Sequence, residues 1–251
     1  MRTIVLIIAT RIVKGQNMSI KKLITGLTLS LVLACGGASA ADFSKGLDAF
    51  NAGDYKTTLS EWIPLAKQGD VYTQHTLGVI LGNGNDAIKD IKSAVKWYTL
   101  AAEQGYADSL YNLGVMYDNG EGVPENDKTA VEWYKKAAKQ GNDLAQKRLG
   151  CMYSYGKGVL ENDTTAAKWY TLAAKQGDAR AQSSLGSQYQ SGEGVLKDNQ
   201  RAYMWFSTAS FNGNQVGDIN KSSVVKEMTP ADVSKAQAMS SLCLESNYTD
   251  C

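Results

Sequence analysis

The run Ala107-Asp108-Ser109-Leu110-Tyr111-Asn112-Leu113-Gly114-Val115-Met116-Tyr117 decides the fold. It continues through Asn119-Gly120-Glu121-Gly122-Val123-Pro124 to Lys128-Thr129-Ala130-Val131-Glu132-Trp133-Tyr134-Lys135-Lys136-Ala137-Ala138-Lys139-Gln140-Gly141. The first part sets Ala107, Leu110, Leu113, Gly114 and Tyr117 on one stripe at helical spacing, and the last part does so with Ala130, Trp133, Tyr134, Ala137 and Ala138. The spacing predicts two helices joined by a glycine-rich turn. Gly120 and Gly122 can take positive φ in that turn, and Gly141 can close the second helix in the left-handed conformation. Gly114 lets the partner helix approach, with Tyr117 and Trp133 assigned the large facing surfaces.

The unit recurs. Gly69, Gly105, Gly141, Gly177 and Gly213 are each 36 residues apart, and the Leu-Gly pairs 77-78, 113-114, 149-150 and 185-186 keep that step. So do Trp97, Trp133, Trp169 and Trp205, whose strict phase places them in the hairpin core. Val123, Val159 and Val195 are read as plugs that fold each turn onto its hairpin, with Ala87 a weaker one. Asp86 stands where other copies have a turn glycine, which predicts a looser turn there. One hairpin cannot bury both apolar stripes, whereas stacked copies can, so the expectation is an all-α solenoid of helix-turn-helix repeats. Four full repeats are counted, 70–105, 106–141, 142–177 and 178–213. Residues 41–69 form a degenerate N-terminal repeat in which Trp62 takes the place of Tyr98. Residues 214–251 form a helical cap, where Thr229-Pro230-Ala231-Asp232 reads as a helix start.

Composition narrows the function. The 251 residues include 26 Lys or Arg, 25 Asp or Glu, 4 Cys and one His, and 43% are hydrophobic. That is too apolar for a disordered chain and too evenly charged for a nucleic-acid surface. With His75 alone, neither a catalytic triad nor a His-based zinc site can be assembled, so no catalytic residue, metal or cofactor is assigned. Residues 1–40 carry Arg2, Arg11, Lys14, Lys21 and Lys22 and no acid, then the apolar run Leu23 to Ala34 and Ala38-Ser39-Ala40. A basic start, a short apolar stretch and an A-x-A site describe a secretory signal peptide, with residues 1–17 read as an upstream extension before a start at Met18. Cleavage is expected before Ala41, and the alternative is lipid attachment at Cys35 in a lipobox-like context. Cleavage would leave 21 basic against 25 acidic side chains, a net charge of −4, in a compartment that permits disulfides. Cys243 and Cys251, eight apart at the tail, are expected to pair, since a flexible tail can reach the required geometry, and the alternative is a disulfide to a partner molecule.

The pattern A-x-x-x-x-x-L-G-x-x-Y-x-x-G-x-G-V followed by A-x-x-W-Y-x-x-A-A-x-x-G resembles the Sel-one-like repeat (SLR), a relative of the tetratricopeptide solenoids. Its 36-residue length separates it from the 34 residues of the tetratricopeptide repeat proper. The resemblance covers about residues 70–213 and implies a right-handed superhelix that scaffolds protein–protein contacts. Secreted bacterial members are often regulators, envelope-assembly partners or host-interaction factors. It further implies that the first helix of each repeat lines a concave face, so positions two, five and nine should meet a partner. Tyr72, His75, Asp108, Tyr111, Val115, Lys147, Arg180 and Ser183 are the residues named for that role. Tyr72 and Tyr111 would anchor an extended protein or peptide segment, with Lys147 and Arg180 as carboxylate partners. The expected protein is a periplasmic or secreted adaptor.

Two alternatives belong to other classes. Ser93-Ala94-Val95-Lys96 matches the S-x-x-K nucleophile motif of penicillin-recognising enzymes, a link also made for cysteine-rich SLR proteins. No K-T-G or S-D-N companion occurs, Ser154-Tyr155-Gly156-Lys157 matches equally, and the hairpin cysteines of that group are missing here. The other alternative is a structural envelope component tethered through Cys35.

Overall fold

The computed structural model describes residues 37–84 and 89–251. The signal peptide apart from 37–40, the 1–17 extension, Cys35, Asp86 and Ala87 lie outside the described residues. Among the described residues the chain is helical throughout, with no strand. The helices are α1 (Gly37–Ala52), α2 (Tyr55–Lys67), α3 (Val71–Asn83), α4 (Ile91–Glu103), α5 (Ala107–Asn119) and α6 (Asp127–Lys139). They continue as α7 (Asp143–Ser154), α8 (Asp163–Lys175), α9 (Ala179–Ser191), α10 (Asn199–Phe211) and α11 (Gln215–Val224). A 3-10 turn (Val225–Glu227) precedes α12 (Pro230–Glu245).

The chain divides into two compact units, one running to Leu113 and including Glu121–Val123, the other made of Gly114–Gly120 and Pro124–Cys251. In the first, α1 pairs with α2 and α3 with α4, and α2 packs on α3. In the second, α7 pairs with α8 and α9 with α10, successive hairpins meet through α8 and α9, and α12 covers α10. This is an all-α solenoid.

Local chemistry sets the helix boundaries. Asp54, Asp70, Asp90, Asn126, Asn142, Asn162, Asp178, Asp198 and Asn214 each cap a helix by accepting the backbone N–H three residues on. Each cap satisfies a donor that the helix start leaves unpaired. At the other end, Gly69, Gly105, Gly141, Gly177 and Gly213 follow the second helices with φ between 84 and 97°. A side chain there would strain the backbone.

The hairpin core corrects one sequence expectation. A Cβ placed on Gly114 would lie 2.5 Å from ring carbons of Tyr134, and one on Gly150 equally close to Tyr170. Gly78 receives Tyr98, Gly186 receives Phe206, and Gly46 receives Trp62 in the same way. The aromatic in the notch is thus the residue after the repeated tryptophan, not Trp133 or its equivalents. One residue is about 100° of helix rotation, so only one of two adjacent aromatics can face the glycine. Trp97, Trp133 and Trp169 are half-buried, and the Lys136 ammonium lies 4.0 Å from the Trp133 ring centre. Trp205 alone of the four is fully covered, at 2% exposure, because it packs with Cys243 and Tyr248 of the cap.

Two further devices join hairpins. Gly158 and Gly194 lie against the backbone of Asp127 and Asp163, and Gly122 lies against Ile91, leaving no room for a side chain in the second turn position. Buried glutamines then bridge the helix ends. Gln146 donates to the Ala138 carbonyl at 3.2 Å and accepts from Gln176 at 2.8 Å, while Gln176 also donates to the Gly141 carbonyl at 2.9 Å. Gln74 repeats this with Ala66 and Gln104, and Gln182 with Ala174 and Asn212. These amides give a second hydrogen bond to the helix-end carbonyls of Ala66, Ala138 and Ala174, which also accept the backbone N–H of Gly69, Gly141 and Gly177. Cys243 and Cys251 form a disulfide, which holds Tyr248 so that its hydroxyl donates to Asn212 Oδ1 at 2.9 Å.

Candidate partner-binding face

The second position is exposed in three of the four first helices, and Leu144, which holds it in α7, is half-buried. Asp108 and Arg180 are exposed and Tyr72 is 40% exposed. Tyr72, Asp108 and the half-buried Tyr111 belong to the first unit, and Arg180 and the half-buried Val115 to the second.

The fifth position behaves differently. His75 is 7% exposed and Ser183 6%, so neither presents the open surface expected of it. His75 turns from α3 toward α5, where its Nδ1 lies 2.8 Å from Ser109 Oγ. The rings of Tyr106 and Tyr98 lie 4.8 and 5.7 Å from the imidazole, centre to centre. Burial pushes its pKa down to about 4, so the ring is neutral at physiological pH. Lys147 is half-buried with its ammonium 2.7 Å from Asp178 Oδ2, the cap of α9, so its charge is already committed inside the stack. Burial, reinforced by Asp178, holds the neighbouring Asp143 carboxyl above its usual range. Arg180 therefore remains the outward cation of the named pair.

The S-x-x-K match has a structural explanation. Ser93 donates its hydroxyl to Asp90 Oδ2 at 2.6 Å, and its backbone N–H donates to Asp90 Oδ1 at 3.0 Å. Thr57 does the same with Asp54. Ser93 is thus the third residue of a capped helix, and Lys96 is exposed. Cys151 is a half-buried free thiol that accepts from the Tyr170 hydroxyl at 3.3 Å. Among the described residues no group of His, Cys, Asp and Glu could hold a metal ion.

The model of the Sel1 repeat matches residues 71–106, 107–142, 143–178 and 179–214. The chain belongs to the Sel1 repeat family. The Sel1 repeat chain is 31% identical to a protective antigen present in uropathogenic Escherichia coli strains, which displays an SLR fold. That likeness has a TM-score of 0.74 and covers 91% of this chain and 50% of the antigen, so the chain spans about half the antigen's length. A Sel1 repeat protein from Oxalobacter formigenes is 32% identical with a TM-score of 0.65, over 70% of this chain and 72% of that one. Among curated proteins no match is found. Sel1 repeat proteins generally act as protein-interaction scaffolds and are generally non-enzymatic.

Sequence reasoning missed Tyr106, which lies against both His75 and Tyr72. The signal was present: position 106 is Tyr where the equivalent positions 70, 142, 178 and 214 are Asp or Asn.

Proposed function

We propose that this Sel1 repeat chain is a periplasmic or secreted adaptor that binds a protein or peptide partner through the outward face of its first helices. The observation that carries the reading is the alternation on those helices. Most of their other positions are buried or half-buried, whereas Tyr72, Asp108 and Arg180 at the second position of three of them stay open to solvent. Within each unit, stacked repeats offer successive positions of this kind, which suits an extended ligand. Export is supported by the basic start, apolar run and A-x-A site of residues 18–40, and no helix among the described residues is long and apolar enough to cross a membrane. Similarity to a protective antigen agrees with an exported protein.

The test is affinity capture from an envelope extract, using the chain and a variant carrying Tyr72→Ala, Tyr111→Ala and Arg180→Ala. A protein retained by the first and lost by the second, with the circular dichroism of both unchanged, is the expected result. Identical retention by both would refute this face.

A further inference from the structure

Every helix from α2 to α11 begins with an Asp or Asn cap except α5, where Tyr106 stands in the capping position. Its carbonyl accepts from Leu110 N–H at 3.0 Å, as the cap carbonyls of other first helices do four residues on. A phenol cannot fold back as Asp or Asn does, so the chain forgoes a stabilising cap at this one helix. A local rule broken once in a regular repeat marks a place where something other than stability is being served.

The ring is used elsewhere. Tyr106 lies 5.6 Å from Tyr72, centre to centre, with an interplanar angle of 76°. Two rings at nearly a right angle make a corner, and aromatic faces carry negative electrostatic potential. Tyr72 is the open side of that corner and the buried His75 is its floor. Asp108, two residues on in α5, is exposed and acts on the corner: after burial it is the next cause raising the Tyr106 hydroxyl above its ordinary pKa. The floor does not oppose this field, because the imidazole is neutral at physiological pH. No other first helix combines an aromatic at the cap position, an aromatic at position two of the preceding repeat and an acid two residues on. At 142 and 108 the pair is Asn and Asp, and at 178 and 144 it is Asp and Leu.

We infer that Tyr72, Tyr106 and Asp108 form a subsite for an organic cation, the ammonium or guanidinium of a partner's Lys or Arg side chain. This deepens the adaptor reading and rests on it for the identity of the ligand as part of a peptide. The cation meets two ring faces and a carboxylate, a combination that disfavours a metal ion and suits the diffuse, weakly hydrated guanidinium better than the compact ammonium.

The experiment has two arms on the purified chain and a Tyr106→Asn variant. The substitution restores the cap found at the equivalent helices, so the variant folds and its thermal midpoint is expected to stay or rise. In the first arm, tetramethylammonium chloride and arginine ethyl ester are titrated while the tyrosine ring resonances are followed by NMR, with sodium acetate as the control anion. Saturating shifts at Tyr72 and Tyr106 are expected in the unsubstituted chain, with the affinity read at Tyr72 roughly tenfold weaker in Tyr106→Asn and in Asp108→Asn. No cation-specific shift, or shifts untouched by both substitutions, would overturn the subsite. In the second arm, a displayed peptide library is selected against the chain. Peptides with a recurrent Lys or Arg that no longer bind Tyr106→Asn support the inference. Selected peptides without a basic residue, still bound by the variant, overturn it while leaving the adaptor reading intact. An empty selection with the first arm positive leaves the cation subsite standing and counts against the adaptor reading instead.

Discussion

Replacing Gly150 by Ala opposes two effects of known sign. Helix propensity alone favours Ala by about 1 kcal/mol. The added Cβ, however, would meet Tyr170 ring carbons at 2.5, 2.5 and 2.9 Å, where ordinary contact begins at 3.4 Å. The ring must retreat by about 1 Å into a core that includes Ala173, Ala174 and Ala181, all fully buried. Overpacking of this kind costs about 1–3 kcal/mol, and three simultaneous clashes with a ring that has no free side argue for the upper end. The net expectation is a loss of about 2 kcal/mol, a fall of roughly 4–8 °C in Tm for a domain of this size. Urea unfolding followed by circular dichroism measures it, and the same substitution in a Tyr170→Leu background should be neutral or stabilising. A Gly150→Ala single variant as stable as wild type would refute the notch argument and reduce the repeated glycines to a helix-propensity curiosity.

Other outcomes follow from the same geometry. His75 has its folded-state pKa lowered from 6.5 to about 4, so the unfolded chain binds the proton first. The stability it contributes is complete above pH 6.5 and is lost as pH falls toward 4, by about 3 kcal/mol in all; His75→Gln should flatten that slope in urea midpoints between pH 4 and 7. Cys251→Ser releases the tail that positions Tyr248 against Asn212 and covers Trp205. A loss of about 2 kcal/mol is expected, with indole emission more readily quenched by acrylamide than in wild type. Gln146→Leu removes two hydrogen bonds, the one to the Ala138 carbonyl and the one from the Gln176 amide. It should cost about 1–2 kcal/mol and speed amide exchange at the end of α6, while Lys128→Ala on the exposed surface should not.

The repeat period made the helices, turns, caps and closing glycines legible, because each needs a particular residue type at a fixed step. The facing of the adjacent Trp133 and Tyr134 was not legible from period alone, since both keep the same 36-residue phase. A cue existed in the substitutions at the second of the two positions. Tyr98, Tyr134 and Tyr170 give way to Phe206 and Trp62, as a position defined by volume allows. His75 and Ser183 were expected on the concave face because the family resemblance assigns the first helices to it, and helical periodicity is silent about packing against the next hairpin's first helix. The amide bridges were also readable in principle. Gln74, Gln146 and Gln182 recur in phase, with Leu110 the exception, and a polar residue on an apolar stripe asks where its hydrogen bonds go.

The glutamine bridges also bear on how such a molecule can change its length. Gln146 and Gln182 each present the same donor to the helix behind and the same acceptor to the side chain ahead. A tandem duplication of 36 residues would therefore arrive with matching couplings at both joints and require no fresh contacts to be invented. Only the two extremities need bespoke sequence. The tethered Tyr248 is one such terminator, occupying the last coupling so that the series ends in a phenol and not in an open amide.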